Sequence, residues 1–157
     1  MDEADGRAHT LDGLPAASLD FVRVLDRNRN LIAKQSNITP SELRALFRVA
    51  EAVIITPKAL AQLLEMTTGA ITAISTRLVD TGLLTRVQHP TDRRSLYLEL
   101  TPAAHKLMEE MHRDFRALID DAAAGLSASQ RASLTASLST LVVNLEKRTS
   151  AGPPDEH

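Results

Sequence analysis

Along most of the chain, apolar residues recur at intervals of three and four, the spacing that puts them on one face of a helix. The first such run is Leu14, Ala17, Phe21, Leu25 and Ile32, ending near Ser36-Asn37. A second holds Leu43, Leu46, Phe47 and Val49/Ala50, and a short third, over Pro57 to Glu65, holds Leu60, Leu63 and Leu64. The fourth starts at Thr67 and carries Ala70, Ile71, Ile74, Leu78 and Val79, with Ile71, Ile74 and Leu78 expected to face inward. It stops at Gly82, the residue type that most easily takes the left-handed conformation closing a helix. The period then changes. An apolar stretch leads into His89-Pro90-Thr91-Asp92-Arg93-Arg94, and Leu96, Leu98 and Leu100 alternate as in a strand. Helical spacing returns with Leu107, Met111, Phe115, Leu118 and Ala122, from Pro102 to about Ala124. A last helix carries Leu134, Leu138, Leu141, Val142 and Leu145.

The polar residues between these runs punctuate them. Thr39-Pro40-Ser41-Glu42 joins a capping threonine, a first-turn proline and the glutamate of a capping box. Thr56-Pro57 and Thr101-Pro102 repeat the cap and proline, and Ser127-Ala128-Ser129-Gln130 is a second capping box. The β-branched run Val53-Ile54-Ile55 is too short for a helix and is expected to pair with the hairpin as a third strand. The pattern predicts a mainly α protein built on a winged helix-turn-helix over residues 37–101, with a small β-hairpin as its wing. Residues 14–36 and 102–149 form a helical region, residues 1–13 a mobile arm, and residues 150–157, with Gly152-Pro153-Pro154, a disordered tail.

Three stretches of this core, Leu83-Leu84-x-Arg86, Pro90-x-Asp92-Arg93-Arg94 and Leu100-Thr101, resemble the wing signature of the MarR family of bacterial transcriptional regulators. The resemblance runs from about Pro40 to Thr101 in motif, and beyond that in helix pattern only. It implies that Arg94 reaches a DNA minor groove with Asp92 bracing it; a weakly hydrated guanidinium suits that narrow, negative groove. Arg93 fits a phosphate. His89 stands where the family often has Asp, which replaces an acid with a pH-sensitive group.

The helix opening at Thr67 has chemistry suited to the same partner. Its unpaired N–H groups and dipole favour an anion, the Thr67 and Thr68 hydroxyls can donate to phosphate, and Gly69 lets backbone come close. Thr72, Ala73, Thr76 and Arg77 form the face expected to meet bases or backbone. Arg77 could pair with a guanine edge or hold a phosphate. Many family members have a basic residue at the position of Ala73 and serine at that of Gly69. Specificity is therefore expected to lean on groove shape.

Charge and composition qualify this picture. The 157-residue chain has a formal net charge of −2, which does not advertise a nucleic-acid binder. Distribution matters more than the total. The stretch from Thr67 to Tyr97 holds Arg77, Arg86, Arg93 and Arg94 against Asp80 and Asp92 alone, while other acids lie at the N-terminus, Glu109-Glu110, Asp120-Asp121 and Asp155-Glu156. With no cysteine, disulfides and cysteine-based sensing are excluded. No apolar run approaches the roughly 20 residues of a membrane span, and the first residues are acidic, so a cytoplasmic location is expected. His105, Glu109 and His112 have a metal-like spacing, but their face lies roughly 120° from the Leu107/Met111 stripe and reads as solvated surface. No catalytic arrangement stands out, so neither enzymatic activity, a cofactor nor a metal is expected.

Three amphipathic helices cannot all bury their stripes on so small a winged domain. The expected solution is a two-fold homodimer, the terminal helices forming the dimerisation platform. The sequence thus reads as a dimeric regulator, in the repressor sense, of a short inverted repeat in double-stranded DNA. The resemblance implies release by a small aromatic or anionic effector, for which Phe47, Met111 and Phe115 are candidate lining residues. The alternative is a winged-helix dimer acting as a protein-interaction module without DNA.

Overall fold

The computed structural model describes residues 10–88 and 96–150 of the chain. Along them run α1 (Gly13–Gln35), α2 (Pro40–Ala52), α3 (Pro57–Leu64), α4 (Thr68–Asp80), β1 (Leu84–Gln88), β2 (Leu96–Leu100), α5 (Pro102–Ala122) and α6 (Ala128–Ser150). The chain divides into two units, Met1–Met111 and His112–His157, with the boundary inside α5.

The helices of the first unit begin and end by local chemistry. Thr39 Oγ1 accepts from Glu42 N at 3.2 Å while Glu42 Oε2 accepts from Thr39 N at 2.7 Å, the expected capping box. Thr56, Thr67 and Thr101 each accept, through Oγ1, from the N–H three residues on. Asn37, Glu65 and Gly82 all have positive φ, at 53°, 53° and 74°. At each, the following residue's N–H reaches five residues back, Ile38 to Ala33, Met66 to Ala61 and Leu83 to Leu78. That is the Schellman ending, with apolar residues at both characteristic positions.

Within this frame one core forms. α2 contributes Leu43, Ala45, Leu46 and Val49, α3 Leu60, Ala61 and Leu64, α4 Ile71 and Leu78, the strands Leu84, Leu98 and Leu100, and α5 Ala104, Met108 and Met111. β1 and β2 pair antiparallel, from Leu84↔Leu100 to Gln88↔Leu96. Thr101 ties the hairpin to the end of α4: its Oγ1 donates to Gly82 O at 2.7 Å and its N–H to Leu83 O at 3.2 Å.

Several expectations are corrected. Val53-Ile54-Ile55 is not a strand; Ile55 alone pairs with the wing, exchanging both backbone hydrogen bonds with Leu98 at 3.3 and 2.8 Å. Val53, at φ 65° and ψ −49°, is the centre of a γ-turn closed by Ile54 N to Ala52 O at 2.7 Å. Leaving a helix for a bridge within three residues demands a reversal that overrides β-propensity. Leu63 points to solvent and Ala61 takes its inward place, because so short a helix buries positions i, i+1 and i+4. α5 stops at Ala122, and its buried line is Ala104, Met108 and Met111, with Leu107 only packed beside it. Of the expected arm, residues 10–12 are described as non-helical and Gly13 already opens α1; residues 1–9 and the expected tail from 151 onward lie outside the described residues.

The second unit is a helical corner. The C-terminal turns of α5 pass through a turn containing Gly125 to the expected box, in which Ser127 N donates to Gln130 Oε1 at 2.9 Å and Gln130 N to Ser127 Oγ at 3.3 Å. Arg131 braces the corner, donating to Leu126 O at 3.3 Å and lying 3.7 Å from Asp120. Leu134, Leu138, Leu141, Val142 and Leu145 are all exposed. Among the described residues no helix is long and apolar enough to cross a membrane.

A β-branched residue at positive φ is strained by about 1–3 kcal/mol, and Val53 is 75% exposed, so no packing repays it. Val53→Gly is expected to raise the free energy of unfolding by about 1 kcal/mol after glycine's own entropic cost. Urea denaturation measures it; a loss of stability would show that the turn holds no strain.

Candidate nucleic-acid interface

α3, the turn at Glu65-Met66 and α4 form the helix-turn-helix. On one side of α4, Ile71, Ser75 and Leu78 are buried and Ile74 is half-buried. Ser75 had not been expected inside; its hydroxyl donates to Thr72 O at 3.2 Å, so the buried polar atom is satisfied within the helix. The other side holds two rows at a spacing of four: Thr68, Thr72 and Thr76, then Gly69, Ala73 and Arg77. All are exposed except the half-buried Thr76. Every expected α4 residue is thus brought onto one accessible face.

Their chemistry is more differentiated than residue type suggests. Thr67 Oγ1 accepts from Ala70 N, which leaves its hydroxyl proton to donate. Thr68 and Gly69 N–H have no acceptor among the described residues, as at any helix start. A Cβ added at Gly69 meets nothing within 4 Å, and its φ is not in the left-handed region, so nothing described within the chain requires glycine there. Thr72 Oγ1 gives its proton to Thr68 O at 2.8 Å; in this rotamer it offers a partner only an acceptor and a methyl. Thr76 Oγ1 accepts from Arg86 Nη2 at 2.7 Å, which clasps β1 to α4.

Two residues enter the site that had no place in it from the sequence. The sequence shows Arg86 as part of the wing pattern and of the local basic charge, yet its contact to Thr76 spans ten positions. The sequence marks Glu42 only as the α2 cap, yet its Oε1 lies 3.0 Å from Arg77 Nε. The spacing of four within α4 shows which residues share a face, but nothing local links α2 to α4 or β1 to α4.

Asp92, Arg93 and Arg94 lie outside the described residues, as does His89; the described strands end at the pair Gln88↔Leu96. Of the candidate effector residues, Met111 is part of the core of the first unit and Phe47 packs against that core, while Phe115 belongs to the second unit and is exposed. His105, Glu109 and His112 are exposed on α5.

Comparison with known proteins places this geometry. Residues 38–96, from the start of α2 into the wing, match the model of the MarR family. The multiple antibiotic resistance protein MarR of Salmonella typhimurium is 31% identical over 87 residues, 55% of this chain and 60% of that protein. The HTH-type transcriptional regulator FarR of Neisseria gonorrhoeae is 35% identical over 80 residues, 51% of this chain and 55% of that protein. The chain therefore spans little more than half the length of these curated relatives. The crystal structure of RV1404 from Mycobacterium tuberculosis superposes with a TM-score of 0.74 at 26% identity, covering 87% of this chain and 97% of that one. The likeness thus joins a shared winged-helix fold to a match with the MarR family model that is centred on the helix-turn-helix and wing.

Proposed function

We propose that this protein is a DNA-binding transcriptional regulator, acting as a homodimeric repressor at a short inverted repeat and released by a small aromatic or anionic effector. The observation that carries the reading is the exposed face of α4, where threonines, a glycine, an alanine and an arginine surround uncapped N–H groups while the opposite face is locked in the core. FarR, which this chain resembles over the same region, is an HTH-type transcriptional regulator.

On this reading Thr67, Thr68 and Gly69 approach phosphate, Thr72 and Ala73 present methyl groups to the major groove, and Arg77 carries the polar contact. Thr76 acts by holding β1 through Arg86. Asp92, Arg93 and Arg94 act from the wing, a role resting on their sequence pattern. The exposed apolar stripe of α6, with Leu14 and Phe21 exposed on α1, supports assembly as a dimer, because apolar surface of this extent is rarely left to water. Two α4 helices roughly 34 Å apart would enter successive major grooves. An effector that prefers another spacing then lowers DNA affinity, and DNA lowers effector affinity by the same factor.

Binding to a duplex selected from a random pool tests the core of this reading. The affinity should fall steeply with salt as counterions are released. Arg94→Ala should cost about 1–3 kcal/mol on the selected sequence, whereas Arg93→Ala should weaken all duplexes alike and reduce the salt slope by about one. Absence of salt-dependent binding would favour the protein-interaction module instead.

Gly69→Ala separates stability from function. Alanine in the first turn should stabilise the helix by up to about 1 kcal/mol. The same methyl should weaken DNA binding by about 1–3 kcal/mol, the scale of one lost contact, if backbone there must approach phosphate. Thermal melts and DNA titrations on one preparation measure both; unchanged affinity would remove Gly69 from the interface.

Leu141→Glu should place an unpaired charge in the dimer interface, at a cost of several kcal/mol, and yield folded monomers or loss of fold. Sedimentation showing an unchanged dimer would exclude α6 from the interface.

A further inference from the structure

We propose that Glu42 is a positioning residue for DNA recognition: from the first turn of α2 it holds the Arg77 guanidinium in a fixed pose on the exposed face of α4. This rests on the DNA-binding reading above and assigns a role inside it.

The capping box accounts for only half of the Glu42 carboxylate. Oε2 accepts the Thr39 N–H at 2.7 Å, a task a glutamine would perform equally well. Oε1 lies 3.0 Å from Arg77 Nε, on a helix 35 positions away in sequence. The Glu42 side chain is 4% exposed and that of Arg77 53%. A carboxylate so buried is tolerated only when its charge is matched: Arg77 pairs with one oxygen and the Thr39 N–H hydrogen-bonds the other. The pairing is one-sided in its consequences. Glu42 is already buried and capped, so the ion pair fixes the more mobile arginine rather than the reverse.

Arginine is the residue for which this matters. Its guanidinium is a planar fork, and engaging Nε leaves the Nη atoms as the groups that can meet a guanine edge or a phosphate. A long side chain held in its bound geometry loses less freedom on binding than one that must be ordered at that moment. Arg77 is also the one long side chain in the two exposed rows of α4, where its companions are Thr68, Thr72, Thr76, Gly69 and Ala73. Discrimination through α4 side chains therefore depends on where this single fork points.

The test is a double-mutant cycle on DNA binding. Wild type, Glu42→Gln, Arg77→Ala and the double variant are titrated with a selected duplex and an unrelated one at several salt concentrations. Each is assayed below its melting temperature. Arg77→Ala should reduce the preference for the selected duplex by about 5- to 150-fold, the value of one good side-chain contact. Glu42→Gln should produce a large part of that loss without weakening binding to the unrelated duplex, since Arg77 keeps its charge and an acid is removed. In the Arg77→Ala background, Glu42→Gln should cost nothing further. Glu42→Asp, which keeps the charge but is too short to span Thr39 N and Arg77, should behave likewise and serves where the glutamine variant is unstable. Equal losses on both duplexes, or an undiminished loss in the Arg77→Ala background, would reduce Glu42 to a helix cap and overturn the proposal alone. Wild-type protein without salt-dependent affinity would overturn the DNA reading together with it.

Discussion

The structure depends on α4 being buried along one line and bare along the opposite one. Ile71, Ser75 and Leu78 stand at i, i+4 and i+7 and are all nearly inaccessible, so they fix the rotation of a 13-residue helix about its axis. Truncating a leucine buried like Leu78 typically costs about 2–5 kcal/mol, which is the scale of the force opposing any roll of the helix. With that rotation set, the rows through Thr68 and Gly69 must face outward. The α2 core residues, the Arg86–Thr76 clasp and the Thr101 contact to Gly82 then fix translation and tilt. A surface able to read a rigid duplex needs this order of events, because exposed side chains that supply no packing cannot also hold their own helix in place.

What was legible in the sequence was what local chemistry decides. Each Thr-Pro and the Ser127 box announce helix starts because the capping oxygen and the N–H it accepts lie three residues apart. Gly82 announces a stop because few other residues tolerate its φ. The second strand of the hairpin follows from alternation in Leu96, Leu98 and Leu100. Errors arose where distant geometry overruled local preference. Propensity alone puts Val53 in a strand, but the three residues from the end of α2 to the Ile55–Leu98 bridge leave room only for a reversal. Helical spacing puts Leu63 inward; on eight residues the buried positions are instead Leu60, Ala61 and Leu64. Glu65 in a left-handed position carries no signal at all, since the Schellman hydrogen bonds and Met66 compensate a conformation the residue itself disfavours.

The site divides in the same way. Which α4 residues share a face could be read from their spacing, and all of them do. Which of their hydroxyls still have a proton to give could not be read, because that depends on Thr72 bonding back to Thr68 O and Thr76 receiving Arg86. Glu42 was the least legible, for a specific reason: its local role as a capping glutamate is sufficient to explain its presence. A residue with one adequate explanation hides a second when the second partner is far away in sequence.

Under the proposed function, these contacts also bear on how a chain of net charge −2 could bind DNA. Non-specific affinity scales with the number of phosphates neutralised, whereas discrimination depends on contacts that only one sequence satisfies. Among the described residues of α4 and the strands, the Glu42 carboxylate offsets the charge of Arg77, whereas Arg86 keeps its full charge while its hydrogen bond to Thr76 fixes its position. The free positive charge offered to any phosphate backbone is thus smaller than a count of arginines implies. Both of these guanidiniums are held in place by a neighbour. An acidic body of this kind lowers the sequence-independent term more than the sequence-dependent one, since a held fork loses little by having fewer cationic neighbours. Modest overall charge is in that sense compatible with selective binding and works against indiscriminate binding, because the competing sites along any long duplex are bound by the very term that has been reduced.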